Sequence, residues 1–203
     1  MKKYRIVCVE NDKINWALLP CAEISEYTWS KEYTPKAYAQ LAYIPGEKFV
    51  LRMFCQEKQP KAVYTEYNQP VYLDSCLEFF ADWANAGKYV NMEMNSLGTL
   101  LSCIGAGRGQ RTPIADLTGG EIFGVVSEKT QDGWFITADI KLDLICKLYG
   151  CTPDIFKKGY KFGGNFYKCG DETEVAHYGM WNPVGTEKPD FHRPEFFGEF
   201  EII

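Results

Sequence analysis

Twelve short runs rich in Tyr, Val, Phe and Leu follow one another along the chain, many bounded by Pro or Gly, and only one stretch shows helical spacing. The runs are residues 3–9, 37–44, 48–56, 61–67, 73–82, 88–95, 98–104, 122–128, 133–140, 160–168, 175–182 and 197–203. Aromatic and β-branched side chains suit a pleated surface, and Gly and Pro mark where strands turn. In KLDLICKLYG, residues 141–150, Leu144, Ile145 and Leu148 share one stripe and Gly150 supplies a stop. Parallel strands need long crossovers, so strands this closely spaced cannot build a parallel sheet. The expected fold is all-β: an antiparallel two-sheet β-sandwich, jelly-roll or immunoglobulin-like, with one short helix near residues 141–149. No repeat, low-complexity tract or linker interrupts it, so residues 1–203 read as a single domain. For a chain of 203 residues the folded surface should be about 9,700 Å², enough burial for one sizeable core.

Twenty-two Lys and Arg stand against 27 Asp and Glu, a net charge of −5, and no segment concentrates basic residues. A nucleic-acid partner is not expected, because polyanion binding needs a basic surface. No run reaches the 18 to 20 apolar residues needed to span a bilayer, and MKKYRIVCVEND has Glu and Asp where a signal peptide needs its apolar stretch. The expectation is no membrane association and a cytoplasmic location as the chain stands, or an extracellular one if a leader has been removed. The eight cysteines, at 8, 21, 55, 76, 103, 146, 151 and 169, form no C-x-x-C pair and sit mostly in apolar runs. Zinc ligation from sequence would show paired close spacings, so buried free thiols are expected.

The stretch PVYLDSCLEFFADWANAGKYVNMEMNSLGTLL, residues 70–101, reads as a three-stranded meander. Alternation puts Asp74, Cys76, Glu78 and Phe80 on one face of the first strand, and Tyr89, Asn91, Glu93 and Asn95 on one face of the second. Leu73, Leu77, Phe79, Val90, Met92 and Met94 supply the core side. A turn near Ala84 and Asn85 would set Glu78 opposite Asn91 and Asp74 opposite Asn95. Such a face is either a solvated outer surface or a floor of carboxylates and amides that hydrogen-bonds sugar hydroxyls. A general acid and base pair from Glu78 with Asp74 or Glu93, of the glycosidase kind, is the enzyme alternative.

The closing stretch HYGMWNPVGTEKPDFHRPEFFGEFEII, residues 177–203, gathers Trp181, Phe191, His192, Phe196 and Phe197 among prolines. Rings in a Pro-restricted loop can face a ligand, whereas rings on strands fill core; Phe196 and Phe197 read as packing residues. Only two histidines, His177 and His192, are present, too few for a multi-histidine metal site, and His192 reads as a hydrogen-bonding loop residue. IGAGRGQR, residues 104–111, lacks the third glycine of a phosphate loop and TPIADL opens no helix, so it reads as a turn that leaves Arg108 and Arg111 near the meander.

In VYLDSCLEFF, KYVNMEMNSLG, W-N-P with PDFHRPEFFGEF, and YTPKAYAQLAYIPGEKFVLRM (residues 33–53), the sequence resembles carbohydrate-binding module family 9, in its variant outside the classical xylanase appendages. The resemblance spans most of the chain. It implies a non-catalytic β-sandwich that binds mono- or oligosaccharides, such as glucan or xylan ends, in carbohydrate utilisation. It further implies Tyr72 and Phe191 as stacking aromatics, Glu78 as the sugar-binding carboxylate, Asn91 and Glu93 as polar partners, and His192 beside them. Trp181, Arg108 and Arg111 are adjoining candidates. Classical members stack sugars between two tryptophans and use an arginine where this chain has Asn91, so weaker binding or a different ligand is expected. No cofactor is required, and the family implies structural calcium, for which no acidic cage is evident. The remaining alternative is an intracellular interaction domain that has lost the sugar site, with Tyr72 and Phe191 buried in core.

Overall fold

The computed structural model describes residues 1–203. Period-two alternation becomes thirteen strands: β1 Lys3–Cys8, β2 Ala22–Ile24, β3 Ala37–Ile44, β4 Lys48–Cys55, β5 Cys76–Asp82, β6 Tyr89–Asn95, β7 Leu100–Gly105, β8 Arg111–Pro113, β9 Gly124–Lys129, β10 Trp134–Lys141, β11 Lys161–Gly170, β12 His177–Met180 and β13 Gly198–Ile202. The fold is mostly β, as its spacing predicts. Two short helices are present, α1 Ile114–Thr118 and α2 Leu142–Tyr149. The expected helix is α2: Leu142, Leu144, Ile145 and Leu148 are buried, and Gly150 ends it in the left-handed conformation that glycine adopts without strain. The one-turn α1 falls in TPIADL, where no helix is expected, and Gly119 stops it in the same way.

The strands form one continuous ladder in the order β8-β7-β6-β5-β11-β13-β1-β3-β4-β10-β9, with β12 added to β11 and β2 to β3. Within β1, Lys3–Ile6 pair with β13 and Val7 and Cys8 pair with β3, so one strand passes the ladder from its first half to its second. Both pairings are parallel, which departs from the purely antiparallel expectation. Close spacing excludes parallel pairing only between sequence neighbours, and β1 pairs with strands far along the chain. The halves curl toward each other over a shared core: Leu41, Phe49 and Ile136 from one half join Phe79, Met92 and Phe166 from the other. Accessible surface is 9571 Å², close to the scaling expectation, and no helix is long and apolar enough to cross a membrane.

Residues 61–67 are not a strand. Their N–H groups are taken by side chains instead: Lys61 N donates to Ser75 Oγ, Val63 N and Tyr64 N to Asp74 Oδ2, and Thr65 N and Glu66 N to Gln69 Oε1. A backbone satisfied this way needs no strand partner. This segment and the stretch before β13 cover the outer face of β5, β6 and β11, where a second apolar cluster forms from Val71, Phe80, Tyr89, Tyr167, Phe191 and Phe197 among others. Both faces of the meander are therefore buried, and its polar face is not the solvated surface considered above.

All eight cysteines are free. Only Cys55, Cys76 and Cys169 are buried, while Cys8 and Cys21 are exposed and the other three half-buried. An apolar run sends alternate side chains to opposite sides, so membership in one does not decide burial.

Candidate functional site

Glu78 pairs with Glu93, Phe80 with Asn91 and Cys76 with Asn95 across β5 and β6. The register lies two residues from the expected pairing of Glu78 with Asn91 and Asp74 with Asn95. The cause is the turn: Asp82 accepts from Ala86 N and Gly87 N at 2.9 Å each, with Asn85 and Gly87 at positive φ, so the chain reverses about one residue later. A shift of two preserves parity, so the side chains keep the expected face.

On that face the structure opens a cleft of about 320 Å³. Tyr72, Glu78, Glu93, Phe191, His192, Arg108 and Arg111 all line it. Glu78 and Glu93 rise from the floor at 2% and 3% exposure. Tyr72, from a short 3-10 turn before β5, stands on the rim and is 38% exposed. Phe191 is mostly buried, its ring stacked on Tyr167 at 4.1 Å, yet it lines the cleft. The turn between β7 and β8 brings the two arginines in. It is tight enough that a Cβ on Gly105 would lie 1.8 Å from the Gln110 carbonyl oxygen, which only glycine permits. Arg111 Nη1 stands 3.6 Å from Glu93 Oε1, and Arg108 pairs with Asp190 at 2.9 Å.

Two candidates lie elsewhere. Asn91 is fully buried beneath the cleft, where its amide donates to Glu93 Oε1 at 3.0 Å; it positions the carboxylate. Trp181 belongs to the central core, against Tyr4, Phe166 and Phe200, because it follows β12 and its N–H continues the pairing with β11 by bonding the Phe166 carbonyl. Asp74 is likewise not a site residue: its Oδ2 accepts from Val63 N, Tyr64 N and Asn95 Nδ2. The Glu78 and Asp74 acid pair of the enzyme alternative therefore does not assemble.

Cys169, Asp171, Tyr178, Pro189 and Asp190 line the cleft without having been singled out in the sequence. Cys169 arrives because β11 pairs with β5, a contact spanning some ninety residues with no local signal. Asp190 could have been flagged by its place in the P-D-F-H segment.

Burial dominates the electrostatics. It drives Glu78 well above the usual carboxylate range, with the neighbouring Glu93 adding to the rise. Glu93 is raised by burial to about 7, with Arg111 and the Asn91 amide holding it down against a larger shift. Asp171 is raised by burial to about 6. His192 is lowered to about 3 by burial and by the two arginines; its neutral ring shares a 2.8 Å hydrogen bond with the Tyr89 hydroxyl. The cleft thus offers neutral or half-ionised carboxyl groups, fixed guanidinium donors and an open aromatic ring, a set suited to neutral polyhydroxylated ligands.

The cluster of Cys76, Glu78 and Cys169 does not suit calcium, which takes six to eight oxygen ligands, because two of its three donors are sulfur.

The sequence pattern of carbohydrate-binding family 9 matches residues 7–202. No curated protein sequence matches the chain. Among solved structures, a proposed carbohydrate-binding protein from Bacteroides uniformis superposes with a TM-score of 0.83 at 23% identity, over 100% of this chain and 99% of that one. A family 9 module from Caldicellulosiruptor kristjanssonii in complex with cellotriose superposes with a TM-score of 0.66 at 14% identity, over 99% and 93%. The same organism's module in complex with glucose gives 0.66 at 15%, over 100% and 96%. These likenesses show a shared fold.

Proposed function

The chain belongs to carbohydrate-binding family 9, a family of binding modules and not of enzymes, and from that premise we propose that the cleft holds one end of a saccharide. The observation that carries this reading is Tyr72: packing does not require this residue, 38% exposed on the rim of a cleft floored by buried carboxyl groups. The C–H face of a sugar lies on Tyr72, with the remaining surface of Phe191 closing the other side. Glu78 and Glu93 accept from hydroxyls, and Arg108 and Arg111 donate to oxygens. Asn91 acts through Glu93, and His192 helps shape the wall. The volume suits roughly one or two sugar rings, at the low end for small-molecule sites, and the related modules with glucose and cellotriose support a chain end as ligand. We further read the chain as a single domain, with the two halves of its ladder as the layers of a jelly-roll sandwich, serving the use of glycans.

Calorimetry with glucose, xylobiose, cellobiose and cellotriose tests this. Binding is expected, and Tyr72→Ala should weaken it about tenfold, the worth of one stacked ring. The same change should alter stability by only about 0.5 kcal/mol, as at other exposed positions. Absence of binding to every sugar at millimolar concentration would overturn the reading.

A further inference from the structure

Glu78 differs from the other deeply buried carboxylates in what holds it. Asp74 receives two backbone N–H groups and the Asn95 amide, and Glu93 receives the Asn91 amide and Arg111. Glu57 receives Trp134 Nε1 and Lys168. The single protein hydrogen bond to Glu78 comes from the Cys169 thiol, at 2.9 Å. A thiol is a weak donor, and a buried carboxyl group with no other protein partner has coordination capacity left for a ligand or a cation.

The surroundings supply the rest of a ligand set. Cys76 sits two residues before Glu78 on β5 and directly opposite Cys169 on β11, so the three side chains occupy adjacent positions on one face. Their two sulfurs and one carboxylate oxygen lie within 4.8 Å of one another. Around tetrahedral zinc, bonds of about 2.3 Å to sulfur and 2.0–2.2 Å to oxygen set ligand atoms roughly 3.5–3.8 Å apart, so modest side-chain adjustment suffices, with the 2.9 Å contact between Cys169 and Glu78 lengthening as the metal enters. Cys169 and Glu78 line the cleft while Cys76 lies beneath them.

We propose that Cys76, Cys169 and Glu78 form a binding site for a soft divalent cation, zinc, on the floor of the cleft, with the fourth coordination position open toward the cleft. Sulfur as the majority donor selects zinc or cadmium over magnesium and calcium. Both thiols enter as thiolates and Glu78 as a carboxylate, and all three ligands release their protons to solvent on binding. The proposal goes beyond the sugar reading and does not rest on it, since its test uses no sugar.

The test titrates reduced full-length protein with cadmium, following the sulfur-to-cadmium charge-transfer absorption, and then displaces cadmium with zinc. A Cys146→Ser/Cys151→Ser background removes the other close thiol pair, whose sulfurs are 3.6 Å apart. One equivalent of cadmium should bind and be displaced by zinc but not by calcium. The absorption should be lost in Cys76→Ser and in Cys169→Ser. An undiminished band in either variant, or displacement by calcium, would overturn the proposal. Should a serine variant fail to fold, cadmium-113 resonance of the background protein decides: a shift for two sulfurs with oxygen supports the site, and an all-oxygen or absent signal refutes it.

Discussion

Strand β11 separates two buried ionic clusters by a single residue: Lys168 points to one and Cys169 to the other. The first is closed. Lys168 Nζ, fully buried, stands 3.3 Å from Glu57 Oε2 and 2.7 Å from His177 Nε2, and it donates to the Cys169 carbonyl. Trp134, Ser75 and Cys55 complete the shell of Glu57. Burial, the largest single influence, would raise the Glu57 pKa, but Lys168 together with Trp134, His177 and Cys55 outweighs it and holds the carboxyl below its ordinary range. His177 is lowered to about 4 by burial and Lys168, so its neutral ring accepts from Lys168 through Nε2 while Nδ1 donates to the Val175 carbonyl. The second cluster is the cleft, where Glu78 and Glu93 are raised and incompletely partnered. Both sets of carboxyl groups are buried, and their opposite pKa directions separate the roles: a satisfied network specifies the fold, and an unsatisfied one keeps hydrogen-bonding capacity for a ligand.

The largest effect should come from breaking the closed cluster. Lys168→Met leaves Glu57 buried without its cation, and urea denaturation should show a loss of about 3–5 kcal/mol. A destabilisation no larger than that of a surface substitution would erase the contrast. The open cluster should respond in the opposite sense. Glu93 keeps its proton up to about pH 7 instead of the usual 4.5, so between these values the folded chain binds more protons than the unfolded one, and this group's contribution to stability declines as pH rises. Glu93→Gln removes that decline. Relative to wild type, thermal unfolding should show the variant gaining stability from pH 4.5 to 8, by up to roughly 3 kcal/mol at one pKa unit per 1.36 kcal/mol; a flat difference would mean the pair is as well served as Glu57. The smallest effect belongs to the rim. Arg108 is mostly exposed in its pair with Asp190, so Arg108→Ala should cost about 0.5 kcal/mol or less at low salt and nothing measurable in about 1 M salt.

The strands were legible because alternation and turn residues are local signals, and so was the face that carries Glu78 and Glu93. The meander register differs by two from the one alternation suggests because the Asp82 side chain decides where the turn closes. Residues 61–67 look like a strand, since apolar composition does not reveal that Asp74, Ser75 and Gln69 will take their N–H groups. Trp181 sinks into the core because β12 pairs with β11 and the Trp181 N–H bonds the Phe166 carbonyl, and Cys169 carries no local signal because the pairing of β11 with β5 joins segments some ninety residues apart.

By itself the sequence determined the β class, the helix at Leu142–Tyr149, the shared face of the two glutamates and the family. These follow from side-chain periodicity and motif order, which are properties of neighbours along the chain. Only the tertiary structure decided that the polar face is roofed into a cleft, that Tyr72 stays open while Trp181 sinks into the core, and that Cys76, Cys169 and Glu78 converge. Those outcomes depend on which distant strands pair and which loops cover them, and burial then sets the charge of every group inside.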